Sequence, residues 1–305
     1  MKKFLILLLL SAAVPATAQE ISVFLTKEGR GRAQQGMEIY GKYIISCEDG
    51  GHVNVYDFKK RNPWPIGDFM LASAGKDNHA NNAEFGIEKK KGASFPLLYI
   101  SNGKVGSDIE WTCFVESITR KGRKWSSEIA QKIILDRCDG WEEHGYTAIF
   151  GAPSWLIDRE RGFLWVFSAI KRTTPQVTKV FSDNLYVATK FRIPKLSEGA
   201  EVHLGVWDIL DQKVFPFDIG FTQAGCCHDG VIWYAYGVGN RSENRPAGIR
   251  AYNTDTGEIT VRYNLKETVL QEPEDIVIRD GWLYLATNTP SKGDIKPNIY
   301  KISIP

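Results

Sequence analysis

Carboxylate, amide and imidazole side chains recur where apolar, strand-like segments of the chain begin, and in one loop. Such groups suit a sugar-like or cationic ligand, because hydroxyl and ammonium groups need acceptors and donors arranged in advance. The candidate ligand-binding residues are Gln35, Glu38, His79, Asn82, Glu84, His144, Ser154, Gln223, Glu272 and Glu274. The alternative is that these groups only hydrogen-bond one another and internal water.

Two segments are especially dense in such groups. Residues 77–84, DNHANNAE, hold six side chains with hydrogen-bonding capacity. Residues 141–146, WEEHGY, combine acids, a histidine and aromatic rings that can stack on the face of a sugar. His79 and His144 are therefore candidates for ligand contact, and a structural hydrogen-bonded role is the alternative for His79.

Catalysis by paired carboxyl groups is a second option. Retaining glycoside hydrolysis needs two carboxyl groups about 5 Å apart, and inversion needs about 6.5–9.5 Å. Glu38, Glu84 and Glu274 could meet either spacing. The chain has no GxSxG, P-loop or HExxH motif, so no catalytic residue is assigned.

The chain begins like an exported protein. Two lysines precede an apolar run from Phe4 to Leu10, and Ala16-Thr17-Ala18 supplies small residues before a cleavage site. This pattern predicts a signal peptide over residues 1–18, because the apolar run is shorter than the ~20 residues that span a bilayer. Without the two lysines of the leader the formal net charge falls from +2 to zero, which gives no electrostatic reason to bind nucleic acid or an anionic membrane.

The cysteines favour buried thiols over a metal site. There are five, at positions 47, 113, 138, 226 and 227, and no CxxC pair. An odd number leaves at least one free, with a Cys113–Cys138 bridge or a vicinal Cys226–Cys227 bridge as options. We predict no metal and no cofactor. The alternative is a metal site that uses His79, His228 and the carboxylates, with calcium favoured if oxygen ligands dominate.

Three kinds of strand recur in one order, five times. A run that starts with polar and small residues is followed by an aliphatic and aromatic run such as LYIS or LYLAT, and then by a shorter alternating strand. The mean period is about 57 residues, somewhat longer than a four-stranded propeller blade with short loops. We therefore predict an all-β fold, a five-bladed β-propeller over residues 19–305 as one domain. Residues 21–25 would supply the missing outer strand of the last blade and close the ring.

Some assignments within the repeats are more specific. Outer strands are expected over 214–219 and 258–263, and 126–135 fits an outer strand or an amphipathic helix. In the third repeat, 204–208 is taken as the third strand. An insertion over 171–194, with a strand-like run at 184–189, is interpreted as a hairpin that projects from one face.

The segments DNHANNAEF and QEPEDIVIRDGWLYLAT carry a resemblance. Their His79-Ala80-Asn81 and Glu272-Pro273-Glu274 motifs resemble those that open inner strands in five-bladed propellers of phage receptor-binding proteins and teichoic-acid-biosynthesis-like proteins. The resemblance implies a propeller that presents a site for a glycan or cell-envelope ligand. It implies no catalytic residues, and the insertion in the third repeat and the paired cysteines depart from the pattern.

These observations lead to one principal hypothesis. The protein is expected to be a periplasmic or secreted monomer that binds a carbohydrate or other small polar ligand at the mouth of the central channel. The alternatives are a glycoside hydrolase or lyase of the same shape, and a scaffold for protein interaction. Neither nucleic acid nor a membrane span is expected.

Overall fold

The computed structural model describes residues 19–28, 34–170, 184–217, 222–289 and 295–305. The predicted signal peptide and residues 171–183 of the predicted insertion lie outside these ranges. No helix in the described ranges has the length and apolar character needed to cross a membrane.

The described chain forms five sheets of four antiparallel strands, the blades of a propeller, and one sheet carries an added strand. Strand β1 (Ile21–Thr26) belongs to blade 5. Blade 1 contains β2 (Gln34–Tyr40), β3 (Tyr43–Glu48), β4 (His52–Asp57) and β5 (Gly67–Met70). Blade 2 contains β6 (Asn78–Phe85), β7 (Leu98–Gly103), β8 (Thr112–Lys121) and β9 (Lys124–Leu135).

The other blades follow the same order from the axis outward. Blade 3 contains β10 (Ile149–Asp158), β11 (Phe163–Ile170), β12 (Asn184–Arg192) and β14 (Asp211–Phe217), with β13 (Glu201–Leu204) inserted before its last strand. Blade 4 contains β15 (Thr222–His228), β16 (Val231–Tyr236), β17 (Gly248–Asn253) and β18 (Glu258–Asn264). Blade 5 contains β19 (Glu272–Arg279), β20 (Trp282–Asn288), β21 (Asn298–Ser303) and β1.

The predicted all-β propeller with five blades is confirmed. Its second strands are apolar on both faces because each blade packs against both neighbours. One cluster, for example, joins Tyr99 and Val115 of blade 2 to Trp155 and Val166 of blade 3, all of them buried. Burying such side chains contributes about 1.5–3 kcal/mol each.

The turns that follow the inner strands of blades 4 and 5 have the backbone conformation that Asp-Gly favours. Asp229 and Gly230 have φ of 47° and 75°, and Asp280 and Gly281 have φ of 50° and 73°. Two consecutive positive φ angles are what a two-residue hairpin turn requires, and Asp-Gly adopts them readily. The His-Asp-Gly segment after Cys227 is therefore explained by its turn.

Ring closure by the N-terminal strand is also confirmed. Strand β1 pairs antiparallel with β21, with Ile21 opposite Ile302 and Val23 opposite Tyr300. The first strand of the chain thus completes the last blade, which covers an edge that would otherwise be exposed.

Two assignments in blade 3 are wrong. Residues 184–192 are the third strand of the blade, with Val166 opposite Thr189, and are not part of a projecting hairpin. Residues 204–208 are not the third strand, because Glu201–Leu204 pairs in parallel with β9 of blade 2 and Val206–Asp208 forms a 3₁₀ turn. Both errors arose because short apolar runs do not show which partner they pair with.

Residues 126–135 form part of an outer strand, β9, rather than a helix. The buried positions near its end, Gln131, Ile133 and Leu135, are two residues apart. That spacing is the period of a strand.

Every inner strand contains a β-bulge near its start. The pairing of each inner strand with the next strand of its blade shifts register between residues 34 and 37, 78 and 82, 150 and 154, 222 and 225, and 273 and 275. A bulge re-aims side chains and increases the local twist. The small and polar residues at these positions therefore mark bulges, which the sequence did not reveal.

Gly36, in the bulge of β2, lies where this strand closely approaches the inner strand β6 of blade 2. A Cβ at this position would lie 2.7 Å from the Ala80 carbonyl oxygen and 2.8 Å from the Ala83 nitrogen, both on β6. Because both are backbone atoms, no side-chain rotation relieves the contact.

Replacing Gly36 by Ala is expected to lower the free energy of unfolding by about 1–3 kcal/mol, the range for overpacked interiors. The measurement is denaturant or thermal unfolding followed by circular dichroism. Gly75→Ala is the matched control, because a Cβ there meets nothing within 4 Å and its φ is not in the left-handed region. Equal stability of the two variants would contradict the close approach of β2 and β6.

Candidate functional site

The inner strands meet at a buried carboxylate, Asp275 on β19. Its Oδ2 accepts hydrogen bonds from the backbone N–H of Met37 at 2.8 Å and of Ala83 at 3.3 Å. Its Oδ1 accepts from Asn82 Nδ2 at 3.3 Å and from the Ile276 N–H at 2.8 Å. Burial raises the pKa of the Asp275 carboxyl, and these donors oppose the rise. One side chain thus joins blades 5, 1 and 2.

Asn82 extends this network to the remaining blades. Its Nδ2 donates to the Gly225 carbonyl oxygen of blade 4 at 2.6 Å. Its Oδ1 accepts from Ser101 Oγ at 3.3 Å, and Ser101 Oγ accepts from the Trp155 N–H of blade 3 at 2.9 Å. A continuous hydrogen-bonded path, which we call the axial network, therefore connects all five blades.

Glu38 and Glu84 fasten each inner strand to the next. Glu38 Oε2 accepts from the Phe85 N–H at 2.9 Å, and Glu84 Oε2 accepts from the Ile157 N–H at 2.5 Å. The two residues are only 1% and 5% exposed. Asp158 on β10 bonds the turn after β15 in the same way, at 2.8 Å. These carboxyl groups hold blades together.

The axis is almost closed beside these carboxyl groups. A cavity of about 10 Å³ lies between Glu38, Glu84, Arg159 and Cys226. This is close to the smallest space that can hold one water molecule. Burial raises the pKa of both Glu38 and Glu84, while Arg159 opposes the rise. Burial also raises the pKa of the Cys226 thiol, which disfavours a thiolate nucleophile.

Four of the predicted ligand-binding residues lie in the bulges: Gln35, His79, Gln223 and Glu274. Because every blade has the same strand order, all inner strands run in one direction and their bulges meet at one end of the axis. We call this end, defined by these four residues and Glu272, the mouth. Blade 3 contributes only the small residues Gly, Ala and Pro to its bulge, at positions 151–153.

Gln223 and Glu272 form a prearranged polar cluster at the mouth. Gln223 Nε2 donates to Glu272 Oε1 and to the Gly237 carbonyl oxygen, both at 3.0 Å. Arg241 forms an ion pair with the other oxygen of Glu272. The Arg241 side chain remains 33% exposed while that of Glu272 is 9% exposed, so the guanidinium lies between the buried acid and solvent.

Glu274 is more deeply buried, at 2% exposure. Burial, followed by the neighbouring charge of Glu272, raises the pKa of Glu274, and a hydrogen bond from Asn288 opposes the rise. Lys27 lies nearby, and burial lowers the pKa of Lys27 to about 8. Lys27 Nζ donates to Gln34 Oε1 at 2.9 Å, so this ammonium group stabilises the seam between blades 5 and 1.

His79 and Gln35 differ in their hydrogen bonding and in their exposure. His79 Nδ1 lies 2.9 Å from Asp49 Oδ1, and its side chain is 33% exposed. Burial acts to raise the pKa of Asp49, but the hydrogen bond and charge of His79 hold the pKa of Asp49 below its usual value. Gln35 is 4% exposed, and its Oε1 has no hydrogen-bond partner in the described part of the chain.

Ser154 lies beside the mouth, because the Tyr234 hydroxyl that it contacts donates to the Gln223 carbonyl oxygen at 2.8 Å, whereas His144 lies apart from it. Ser154 Oγ is buried and lies 2.8 Å from the Tyr234 hydroxyl, so it links blades 3 and 4. His144 lies in the 3₁₀ turn Glu142–His144, which follows the outer strand of blade 2, and its ring centroid is 4.4 Å from that of Trp207. The structure therefore separates His144 from the other predicted residues.

The list of predicted ligand-binding residues omitted Asp275, Arg159 and Arg241. Asp275 directly follows Glu274, and the bulge at 273–275 places Asp275 rather than Glu274 opposite Ala286 in the ladder. No local motif marks the two arginines, because each reaches its acid across the chain, Arg159 to Glu38 and Arg241 to Glu272.

All five cysteines carry free thiols, so the Cys113–Cys138 and Cys226–Cys227 bridges that the sequence left open are not formed. Four of the five are buried. Within the described ranges, His, Cys, Asp and Glu side chains form no group of three or more that could hold a metal ion.

Comparison with known proteins supports the β-propeller fold and supports no family or function. No family model matches the chain, and no curated protein matches it. The tail fibre of a Staphylococcus aureus phage is similar in structure over 93% of this chain, with a TM-score of 0.52 and 13% identity. This chain spans 52% of the length of that tail fibre.

Two other solved structures are more distant. A glucose dehydrogenase aligns over 94% of this chain and 100% of its own length, with a TM-score of 0.47 and 10% identity. A β-propeller domain from Myceliophteria thermophila aligns over 92% of this chain and 86% of its own length, with a TM-score of 0.40 and 10% identity.

The buried carboxyl group of Glu84 predicts a dependence of stability on pH. Because its pKa is raised in the folded protein, folding takes up a proton above about pH 4.5, and the free energy of unfolding falls as pH rises from there. The slope that one such group can contribute is about 1.4 kcal/mol per pH unit. Glu84→Gln keeps an oxygen acceptor for Ile157 and is expected to flatten the decline.

Thermal unfolding of wild type and Glu84→Gln across mildly acidic to mildly alkaline pH measures this difference. Glu258→Gln, on the exposed face of β18, controls for the loss of one carboxyl group. Parallel pH profiles for wild type and Glu84→Gln would show that Glu84 is not protonated on folding.

Proposed function

We propose that this protein is an exported β-propeller that binds a carbohydrate or cell-envelope ligand at the mouth. The observation that carries the proposal is the meeting of five bulged inner strands at one end of the axis, with polar side chains on four of the five bulges. Bulges are over-represented beside binding sites because they direct side chains out of the regular ladder.

The polar groups of the mouth are fixed before any ligand arrives. Gln223, Glu272 and Arg241 already hold one another, so a hydroxyl-rich ligand would meet donors and acceptors whose positions need little further ordering. Prearranged partners reduce the entropic cost of binding.

The axial network limits how far a ligand can enter. Asp275 and Asn82 bridge the inner strands, and the small cavity beside Glu38 and Glu84 is about the size of one water molecule. The ligand would therefore rest on the mouth rather than thread through a channel.

The burial and hydrogen bonding of the carboxyl groups favour ligand binding over glycoside hydrolysis. Glu38 and Glu84 are buried and accept backbone N–H groups, so neither can approach a glycosidic bond without breaking a contact between blades. Glu274 is buried as well. A glycosidase needs two carboxyl groups that flank the substrate.

Gln223→Ala tests the mouth directly. It removes the side-chain amide, whose Oε1 can accept from a ligand while Nε2 already donates to Glu272 and Gly237, and it leaves the Arg241–Glu272 ion pair. The loss of one such contact is expected to weaken glycan binding about tenfold, or about 1.4 kcal/mol. Isothermal titration against a panel of neutral, amino-bearing and anionic oligosaccharides measures it. Lys121→Ala, at the exposed tip of the β8–β9 hairpin, is the control.

Each outcome of that titration decides between functions. Wild type that binds no member of the panel would overturn the proposal in favour of an interaction scaffold. Binding that Gln223→Ala leaves unchanged would remove the mouth as the site. Turnover of a glycan that is lost in Glu274→Gln would support the hydrolase or lyase instead.

Export has its own test. The leader is expected to be removed after Ala18, so that the mature chain begins at Gln19. Intact mass and N-terminal sequencing of protein from the extracytoplasmic fraction measure this, and Ala18→Arg should block the cleavage. A chain that keeps residues 1–18 in that fraction would contradict cleavage at this site.

A further inference from the structure

A groove of about 460 Å³ lies on the outer part of blade 2, where a segment of blade 3 crosses onto it. The groove exists because β13 adds to β9, and the Asp136 N–H donates to the Leu204 carbonyl oxygen at 2.9 Å. We call it the rim groove, and it is lined among others by Asp108, Trp111, Asp136, Arg137, Asp139 and Trp207. None of these residues belongs to the mouth.

The aromatic side of the rim groove is Trp207. Its side chain is 83% exposed, the highest value among the large hydrophobic residues described. It is nevertheless held on an ordered turn, because the Gly205 N–H donates to Asp208 Oδ2 at 2.9 Å and the Asp208 N–H donates to the Gly205 carbonyl oxygen at 3.1 Å. The ring of His144 packs on it at 66° between planes. An indole presented to water on a fixed turn is available for stacking.

The groove also has polar lining residues. Asp136 Oδ1 lies 3.1 Å from His203 Nδ1, and hydrogen bonds to Asp136 and Glu201 raise the pKa of His203. The guanidinium of Arg137 lies over the ring of Trp111, 5.7 Å from its centroid. Asp108 and Asp139 add two further carboxylates. The groove therefore combines carboxylate acceptors with an exposed aromatic ring.

This combination matches the two faces of a pyranose ring. The C–H face of a sugar stacks on an indole, while its hydroxyl groups donate to carboxylates. The volume falls within the range of small-ligand sites, about 300–1,000 Å³. Three aspartates against one arginine make the lining net acidic, which disfavours uronic acids and other anionic sugars.

We propose that the rim groove is a second carbohydrate-binding site, which takes a neutral or amino-bearing pyranose unit stacked on Trp207. The site does not depend on the mouth, because it is built by the added strand β13 and the loop after β9.

Trp207→Ala tests this proposal, and the exposure of the side chain makes the variant safe for folding. Titration of wild type with a chito-oligosaccharide, a cello-oligosaccharide and an oligogalacturonate is expected to show binding of one of the first two. Trp207→Ala should weaken that binding at least about tenfold. Asp139→Asn should weaken it as well, since it removes an acceptor without changing the shape.

Two matched variants separate the rim groove from other sites. Trp64→Ala removes another exposed indole, at 58% exposure on blade 1, and should leave binding unchanged. Gln223→Ala should also leave the Trp207-dependent binding unchanged, so failure of the mouth and failure of the rim groove are distinguishable. Equal affinity of wild type and Trp207→Ala, preference for the oligogalacturonate, or no binding of any of the three sugars would overturn the proposal.

Discussion

The contact on which this propeller depends is the set of hydrogen bonds around Asp275. Burying a carboxyl group costs several kcal/mol unless donors replace the lost water. Two N–H groups of neighbouring blades, the Asn82 amide and the Ile276 N–H supply those donors. Each buried N–H deprived of its acceptor would cost about 1–3 kcal/mol, so the carboxyl group and the three strands it joins stabilise one another. Five wedges packed only by apolar faces would lack this fixed register at the axis.

The bulges connect this core to recognition. A regular ladder would direct alternate side chains into the gaps between blades, where the interior is apolar. The register shift at 273–275 instead makes Glu274 the unpaired residue and brings Asp275 to the axis. Gln35 and Gln223 lie in equivalent shifts on other blades. The same distortion therefore lets the inner strands approach closely at Gly36 and collects polar side chains at one end.

The sequence indicated the repeated elements because they are local. Alternation, apolar runs and Asp-Gly turns each depend on a few adjacent residues, and even the closing strand, 21–25, could be found by counting strands. The bulges could not be found in this way, since a register shift depends on the partner strand. The role of Asp275 was missed for that reason, and the contact of Arg241 with Glu272 was missed because no local motif marks it. The errors in blade 3 have the same origin, because β13 pairs with a sheet that begins more than a hundred residues earlier at Asn78.

Ligand specificity can arise in the segments that depart from the fivefold repeat. The inner carboxyl groups Glu38 and Glu84 are committed to holding blades, so changing them for a new ligand would weaken the ring. The small residues in the bulge of blade 3 do not hold blades in this way, and the strand that crosses from blade 3 pairs with the outer strand β9 of blade 2, away from the axis. Trp207 and its turn lie on that crossing segment, outside the hydrogen-bonded axis. A propeller can therefore acquire or lose such a surface without altering the contacts that close it, because the two depend on different residues.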